Sequence, residues 1–251
     1  MCAICEDPRQ WVSPQGQSWT TPEELRAEHY QNEFRELEPG LYGFRTTPSF
    51  ALGPRSLLVQ TPAGNLLWDV QTHIDDATLE TVRGLGGIAA IASSHPHFYG
   101  AMAEWSVAFG NAPIHLPAAD RRWVMRPSAA IDYWEESREI LPGLVAVRCG
   151  GHFEGSAVLH WPAGAEGRGV LLTGDTIMVV ADRGWVSFMR SYPNLIPLPA
   201  RSVAAIAAAV APLRFDRIYG NPGWEKSLGA GASEAVRLSA ERYIEAIGGS
   251  E

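Results

Sequence analysis

The sequence predicts an α/β (α+β) fold in which two β-sheets pack face to face and helices cover their outer sides, a four-layer αββα sandwich. Three observations lead there. Each half of the chain opens with strand-like runs joined by tight turns and continues into helical stretches. No short-period repeat, low-complexity tract or interdomain linker interrupts the 251 residues, a length able to bury a large core. The 25 glycines and 18 prolines suit many short elements with sharp connections.

Residues 1–39 are polar and irregular and read as an N-terminal extension packed on a domain spanning 40–251. Within that extension Thr20-Thr21-Pro22-Glu23-Glu24 marks a helix start, with a Thr cap, Pro in the first turn and acids facing the dipole. Leu41–Thr46, Ser56–Gln60 and Leu66–Val70 alternate like strands, the last two joined by a hairpin turn at Thr61–Asn65. A helix fits Asp75–Arg83 and ends at the glycines that follow. Ile88–Ser93 is a buried strand running straight into His95-Pro96-His97. A helix at Ala101–Phe109 and a strand at Pro113–Leu116 come next, and residues 118–140 read as mostly helical with a break near Pro127.

The second half repeats the style. Val145–Arg148 leads into Cys149-Gly150-Gly151-His152, and Ala157–Trp161 pairs with Val170–Thr173, which ends at Gly174-Asp175. Ile177–Ala181 and Trp185–Met189 form a further pair. An alanine-rich helix over residues 200–211, a strand at Phe215–Tyr219 and a C-terminal helix from Ser233 to Ile247 complete the chain.

A formal charge of −8 argues against a nucleic-acid surface, which needs clustered Lys and Arg. The longest apolar run, Val203–Leu213, is too short to span a bilayer and reads as a buried helix, so no membrane association is expected. Three cysteines give no even disulfide framework, and with an N-terminus lacking a basic apolar leader they favour a reducing cytoplasm. Trp105, Trp123, Tyr133, Trp134, Trp185 and Trp224 belong to a core, a pocket or a homo-oligomer interface. Cys2 and Cys5 have the spacing of a metal knuckle but no second pair to complete one.

Four groups able to bind a metal stand where apolar strands end: His95 and His97, His152, and Asp175. Ligands at strand ends are held rigidly yet face a cleft. In an extended loop alternate residues share a side, so the two imidazoles of His95-Pro96-His97 can converge on one ion. Three imidazoles and a carboxylate suit zinc and also ferrous iron. Asp175 alone is more often a turn residue or helix cap than a ligand, and His73 more often a surface or hydrogen-bonded side chain than a ligand, with Asp75 a helix cap.

Taken together and in this order, these residues resemble the metallo-β-lactamase superfamily. Leu66-Leu67-Trp68-Asp69 is similar to its apolar strand ending in a supporting aspartate, and Ser94-His95-Pro96-His97-Phe98-Tyr99-Gly100 to its His-x-His-x-Asp-His motif. Gly151-His152-Phe153-Glu154-Gly155-Ser156 is similar to the loop bearing the third histidine, and Gly174-Asp175 to the motif whose aspartate bridges two metals. The departures are concentrated. Tyr99 and Gly100 replace an aspartate and a histidine, and Gly220-Asn221-Pro222-Gly223 carries no histidine where the family has another.

The residues missing are those of a second metal site. The resemblance therefore implies one divalent metal, zinc before iron, held by His95, His97, His152 and Asp175, with Asp69 fixing the His95–His97 loop by hydrogen bonds. It implies a mononuclear hydrolase of a small-molecule ester, lactone, thioester or amide, with Asp175 orienting water if it does not bind tightly. Tyr99 is either a catalytic hydrogen-bond donor or a filler of the vacated position. Two other outcomes stay open: an iron oxidoreductase of the sulfur-dioxygenase kind, and a non-catalytic ligand-binding protein. Phosphodiester cleavage is disfavoured because half of the two-metal clamp is absent.

Overall fold

Seven strands run in sequence order across the first sheet, and the structure, a computed structural model, describes residues 2–248. A six-residue helix α1 (Pro22–Ala27) precedes them, capped by Thr21 and Glu24 in a reciprocal box. Strands β1 (Gln31–Glu38), β2 (Leu41–Thr47), β3 (Ser56–Thr61) and β4 (Gly64–Trp68) pair antiparallel. Strands β5 (Ala90–Ala92), β6 (Ile114–Pro117) and β7 (Ile131–Trp134) continue the sheet in parallel. Helices α2 (Asp76–Gly84) and α3 (Met102–Ala108) make the first two crossovers.

The second half begins with β8 (Ser137–Leu141), β9 (Leu144–Arg148) and β10 (Ala157–Trp161), then a short turn α4 (Gly164–Gly167) and β11 (Val170–Gly174). Two small ribbons follow, β12 (Met178–Val179) with β13 (Val186–Ser187) and β14 (Met189–Ser191) with β15 (Ile196–Pro197). Helix α5 (Ala200–Val210), β16 (Arg217–Gly220), β17 (Ser227–Leu228) and helix α6 (Ala232–Ala246) end the chain. The second sheet has the order β17-β16-β11-β10-β9-β8, with β11 and β16 parallel.

Three apolar clusters account for the four layers. Leu57, Trp68 and Leu66 meet Leu159, Leu172 and Trp161 between the two sheets. The other face of the first sheet, with Leu58, Leu67 and Ile91, packs on Val82 of α2 and Met102 and Trp105 of α3. The other face of the second sheet, with Val158, Leu171 and Ile218, packs on Val203 and Ile206 of α5 and Val236 of α6. The alternation along β3 and β4 thus feeds two cores at once, as a sheet buried on both faces requires.

The element pattern differs from expectation in two places. Residues 118–140 are not mostly helical. Ala118–Trp123 makes a short 3₁₀ turn, and the rest supplies β7 and the start of β8. Both are edge strands of their sheets, half exposed, so they lack the apolar run that marks a central strand, while Ile131, Tyr133 and Trp134 fit a pleated surface. The other difference is β1, inside the stretch read as an irregular extension. Its sequence Gln-Asn-Glu-Phe-Arg-Glu-Leu-Glu is that of a charged edge strand, which resists pairing with other chains. No helix among the described residues is long and apolar enough to cross a membrane.

Candidate metal centre

Asp69, His95 and Asp175 stand just past the C-terminal ends of β4, β5 and β11, and His152 lies in the β9–β10 loop. The open end of parallel strands is where loops diverge and a cleft forms. One ligand atom from each of His95, His97, His152 and Asp175 lies within 4.8 Å of the others. His95 Nε2 is 3.2 Å from His97 Nδ1, and His152 Nε2 is 3.5 Å from the same atom. Asp175 Oδ2 is 3.5 Å from His95 Nε2 and 4.0 Å from His152 Nε2.

The surroundings orient these rings. Ser94 N–H donates to Asp69 Oδ1 at 2.7 Å and Ser94 Oγ–H to Asp69 Oδ2 at 3.1 Å. When Asp69 is ionised, as it is beside a cation, the Ser94 proton is so committed that Ser94 Oγ accepts from His95 Nδ1–H at 2.8 Å, which leaves the His95 Nε2 lone pair facing the cluster. His152 Nδ1–H donates to the Met189 carbonyl at 3.2 Å and frees Nε2 in the same way. Ala157 N–H donates to the Ser94 carbonyl at 2.8 Å, tying the His152 loop to the His95 loop. Gly174 adopts φ +53°, and a Cβ there would sit 2.1 Å from Ser94 Oγ, so only glycine lets β11 approach this relay.

The donor set fits a cation. Burial holds all three imidazoles below their ordinary range, His97 at about 3 and His152 at about 4, so each is neutral and able to ligate. Burial pushes Asp175 up to about 7 despite the opposing charge of Lys226, and pushes Asp69 up to about 8, with the Asp175 carboxylate adding to the rise. Asp175 Oδ1 is buried with no hydrogen-bond partner. A divalent ion at the cluster would offset both carboxylates.

The other candidates lie elsewhere. Tyr99 is fully buried, does not line the cleft, and places its hydroxyl 3.5 Å from Asp120 Oδ2. The catalytic donor role expected for it is therefore not what its position offers. The turn Pro96–Phe98 rotates the following side chain into the core behind the histidines. Asn221, in the stretch Gly220–Gly223 where the resemblance implied a missing histidine, exchanges hydrogen bonds with the Arg55 backbone at 2.7 and 2.9 Å. His73 bonds to the cap Asp75 at 3.1 Å, and His160 to the Arg214 carbonyl at 2.8 Å. Cys149 lies against the α5 core with its thiol pushed up to about 12 by burial, away from the ligands.

Two residues at the site carried no signal in the sequence. Arg9, 3 % exposed, donates from Nη1 to the His152 carbonyl at 2.7 Å and from Nε and Nη2 to Asp7 at 2.6 Å. Its guanidinium lies 3.7 Å from the centre of the Phe153 ring, which borders the histidines. Asp120 accepts from Gly155 N–H at 2.8 Å and so braces the other end of the His152 loop. Both act across the tertiary structure, and no local spacing announces them.

The two sheets and the helices that cover them have the fold of the metallo-β-lactamases. Among solved structures, the metallo-β-lactamase DIM-1 matches with a TM-score of 0.63 at 12 % identity over 86 % of this chain and 98 % of that one. A metallo-β-lactamase of Cronobacter sakazakii with a HARLDQ motif matches at 0.56 and 16 % over 86 % and 92 %. A B3 metallo-β-lactamase with an active-site glutamic acid matches at 0.57 and 18 % over 97 % and 96 %. At these identities the likeness establishes the fold alone. No family model matches the chain. The chain belongs to the family of the uncharacterised protein YmaE of Bacillus subtilis (strain 168), to which it is 50 % identical over 248 residues, 98 % of this chain and 89 % of YmaE.

Proposed function

We propose that this protein is a mononuclear metal-dependent hydrolase that cleaves an ester, lactone, thioester or amide of a small molecule, with zinc as the ion. The observation that carries the reading is the convergence of three neutral imidazoles and Asp175 on one point, next to positions where Tyr99, Gly100 and Asn221 offer no second set of ligands. His95, His97 and His152 would hold the ion, with Asp175 as the fourth ligand or as a more distant carboxylate. A divalent ion so held would supply Lewis acidity to a carbonyl and a nucleophile at neutral pH.

The chain's own groups do the rest. Asp69 and Ser94 keep His95 in the ligating tautomer, and Asp175 Oδ1, free of protein partners, can accept a proton from the attacking water. The acyl carbon gains the water oxygen and loses the alcohol, thiol or amine. A reducing cytoplasm belongs to the same reading, on the odd cysteine count.

The test is elemental analysis of protein purified anaerobically without added metal, followed by a hydrolysis screen. About one zinc per chain with acyl hydrolysis supports the reading. Two ions in the cleft would remove the mononuclear assignment, and stoichiometric iron with oxygen consumption would replace hydrolysis by oxidation.

A further inference from the structure

The metal cluster sits at one end of a cavity of about 170 Å³ whose other walls are mostly apolar, Leu52, Pro54, Val70 and Phe98 among them, with Gln10, Thr72 and Asn221 as the polar groups. A second, larger space of about 920 Å³ lies between the N-terminal segment and the loop joining β2 to β3. Gln10, Trp11, Phe50 and Ala51 line both, so the small cavity continues into the large groove past the Trp11 and Phe50 rings. The volume of the groove is that of a site for a whole organic molecule rather than for water.

Two properties of this path specify its occupant. Several of the chain's most exposed large apolar side chains stand along it: Trp11 at 46 %, Val12 at 48 %, Leu52 at 41 % and Trp19 at 74 %. Between them the groove wall is neutral and polar, with Ser13, Gln17, Ser18 and Ser49, so the exposed rings and Val12 are its apolar contacts, and apolar surface beside a cleft marks a binding face. Among the described residues lining either space there is no lysine or arginine, and the groove carries Glu24 and Glu28. A carboxylate or phosphate would meet no cation there and two acids instead.

We propose that the groove formed by the N-terminal segment is a subsite for an uncharged, apolar chain attached to the group that reacts at the histidine cluster. The substrate class is then a neutral acyl compound with an extended hydrocarbon or aromatic tail. The inference rests on the hydrolase reading only in placing the head group.

Alkyl hydroxamic acids test it, because the head group chelates zinc and binding needs no turnover. Zinc-loaded full-length protein is titrated with hydroxamic acids of two, six, eight and ten carbons and with an eight-carbon member carrying a terminal carboxylate, reading tryptophan fluorescence and calorimetry. Kd should fall about twofold to fourfold per methylene along the groove. The terminal carboxylate should cancel that gain, and Trp11→Ala and Trp19→Ala should both flatten the length dependence, Trp19→Ala with the two-carbon probe bound as before. Equal affinity at all lengths, or tighter binding of the carboxylated probe, overturns the proposal. So does dimerisation that Trp19→Ala abolishes, which would give the groove to a second copy. If no member binds, the proposal also falls, and the zinc content of the same sample shows whether the metal site fell with it. Chain-length-dependent binding without hydrolysis would leave this inference standing and sink the hydrolase reading alone.

Discussion

Replacing Asp69 by asparagine exchanges one carboxylate oxygen for an NH₂ group and should reverse the relay that prepares His95. Asp69 is 1 % exposed and takes φ +57°, a left-handed conformation that aspartate tolerates better than most residues. Its Oδ1 must go on accepting from Ser94 N–H, since an unpaired buried N–H costs about 1–3 kcal/mol. Asparagine therefore turns its NH₂ towards Ser94 Oγ, where Asp69 now accepts at 3.1 Å, and towards Asn221 Nδ2, itself a donor 3.5 Å away. Ser94 Oγ becomes the acceptor from this amide and donates its own O–H to His95 Nδ1 as a hydrogen bond. The His95 Nε2 atom then carries the hydrogen and cannot ligate. Losing a group that orients a metal-binding histidine typically weakens the metal about 10-fold to 100-fold.

Asp69→Asn should show that loss while unfolding close to the parent, because the shape and the Oδ1 bond survive. Asp69→Ala should lose the same affinity and also about 1–3 kcal/mol of stability. Ser94→Ala should resemble Asp69→Asn, since His95 Nδ1 loses its partner. The assay is competition for zinc with a chromophoric chelator at neutral pH, beside denaturant unfolding of the metal-free proteins. Parental zinc affinity in both Asp69→Asn and Ser94→Ala would refute the relay, leaving Asp69 as a purely structural residue.

His95→Ala and His152→Ala should bring metal content from about one ion per chain to near none, whereas His115→Ala and His160→Ala should retain it. Equal retention across the four would show that the cluster is not the metal site. Tyr99→Phe should keep both metal and turnover, because its hydroxyl faces Asp120 and not the cleft. A large fall in kcat at full occupancy would return the phenol to the mechanism. Zinc affinity should weaken as pH drops below about 8, and more steeply below about 7, by up to about tenfold per unit for each proton the ion displaces. The sign follows from Asp175 at about 7 and Asp69 at about 8, protonated in the metal-free protein and ionised beside a cation, while the imidazoles stay neutral down to about 4. One to two protons released per zinc at pH 6.5, measured by calorimetry in buffers of different ionisation enthalpy, is the expected count, and pH-independent affinity would contradict it.

Much of this protein is decided locally. The apolar runs of β3–β4 and β10–β11, the capped helices α1 and α2 and the alanine-rich α5 follow from periodicity and end signals within a few residues. The ligand candidates were legible for the same reason, since each is a polar group at the abrupt end of an apolar strand. What local pattern could not decide lies at the edges and across the cleft. Strands β1, β7 and β8 bury too little on either face to show an apolar alternation, and only pairing with β2, β6 and β9 makes them strands. Tyr99 looked the same in sequence whether it faced the ion or the core, and the 3₁₀ turn at Pro96–Phe98 chose the core. Arg9 meets His152 across 143 residues of chain, and Asp120 meets Gly155 across 35. Contacts of that separation depend on two sheets having already packed, because only the assembled sandwich brings the N-terminal segment to the mouth of a cleft built by the ends of β4, β5 and β11.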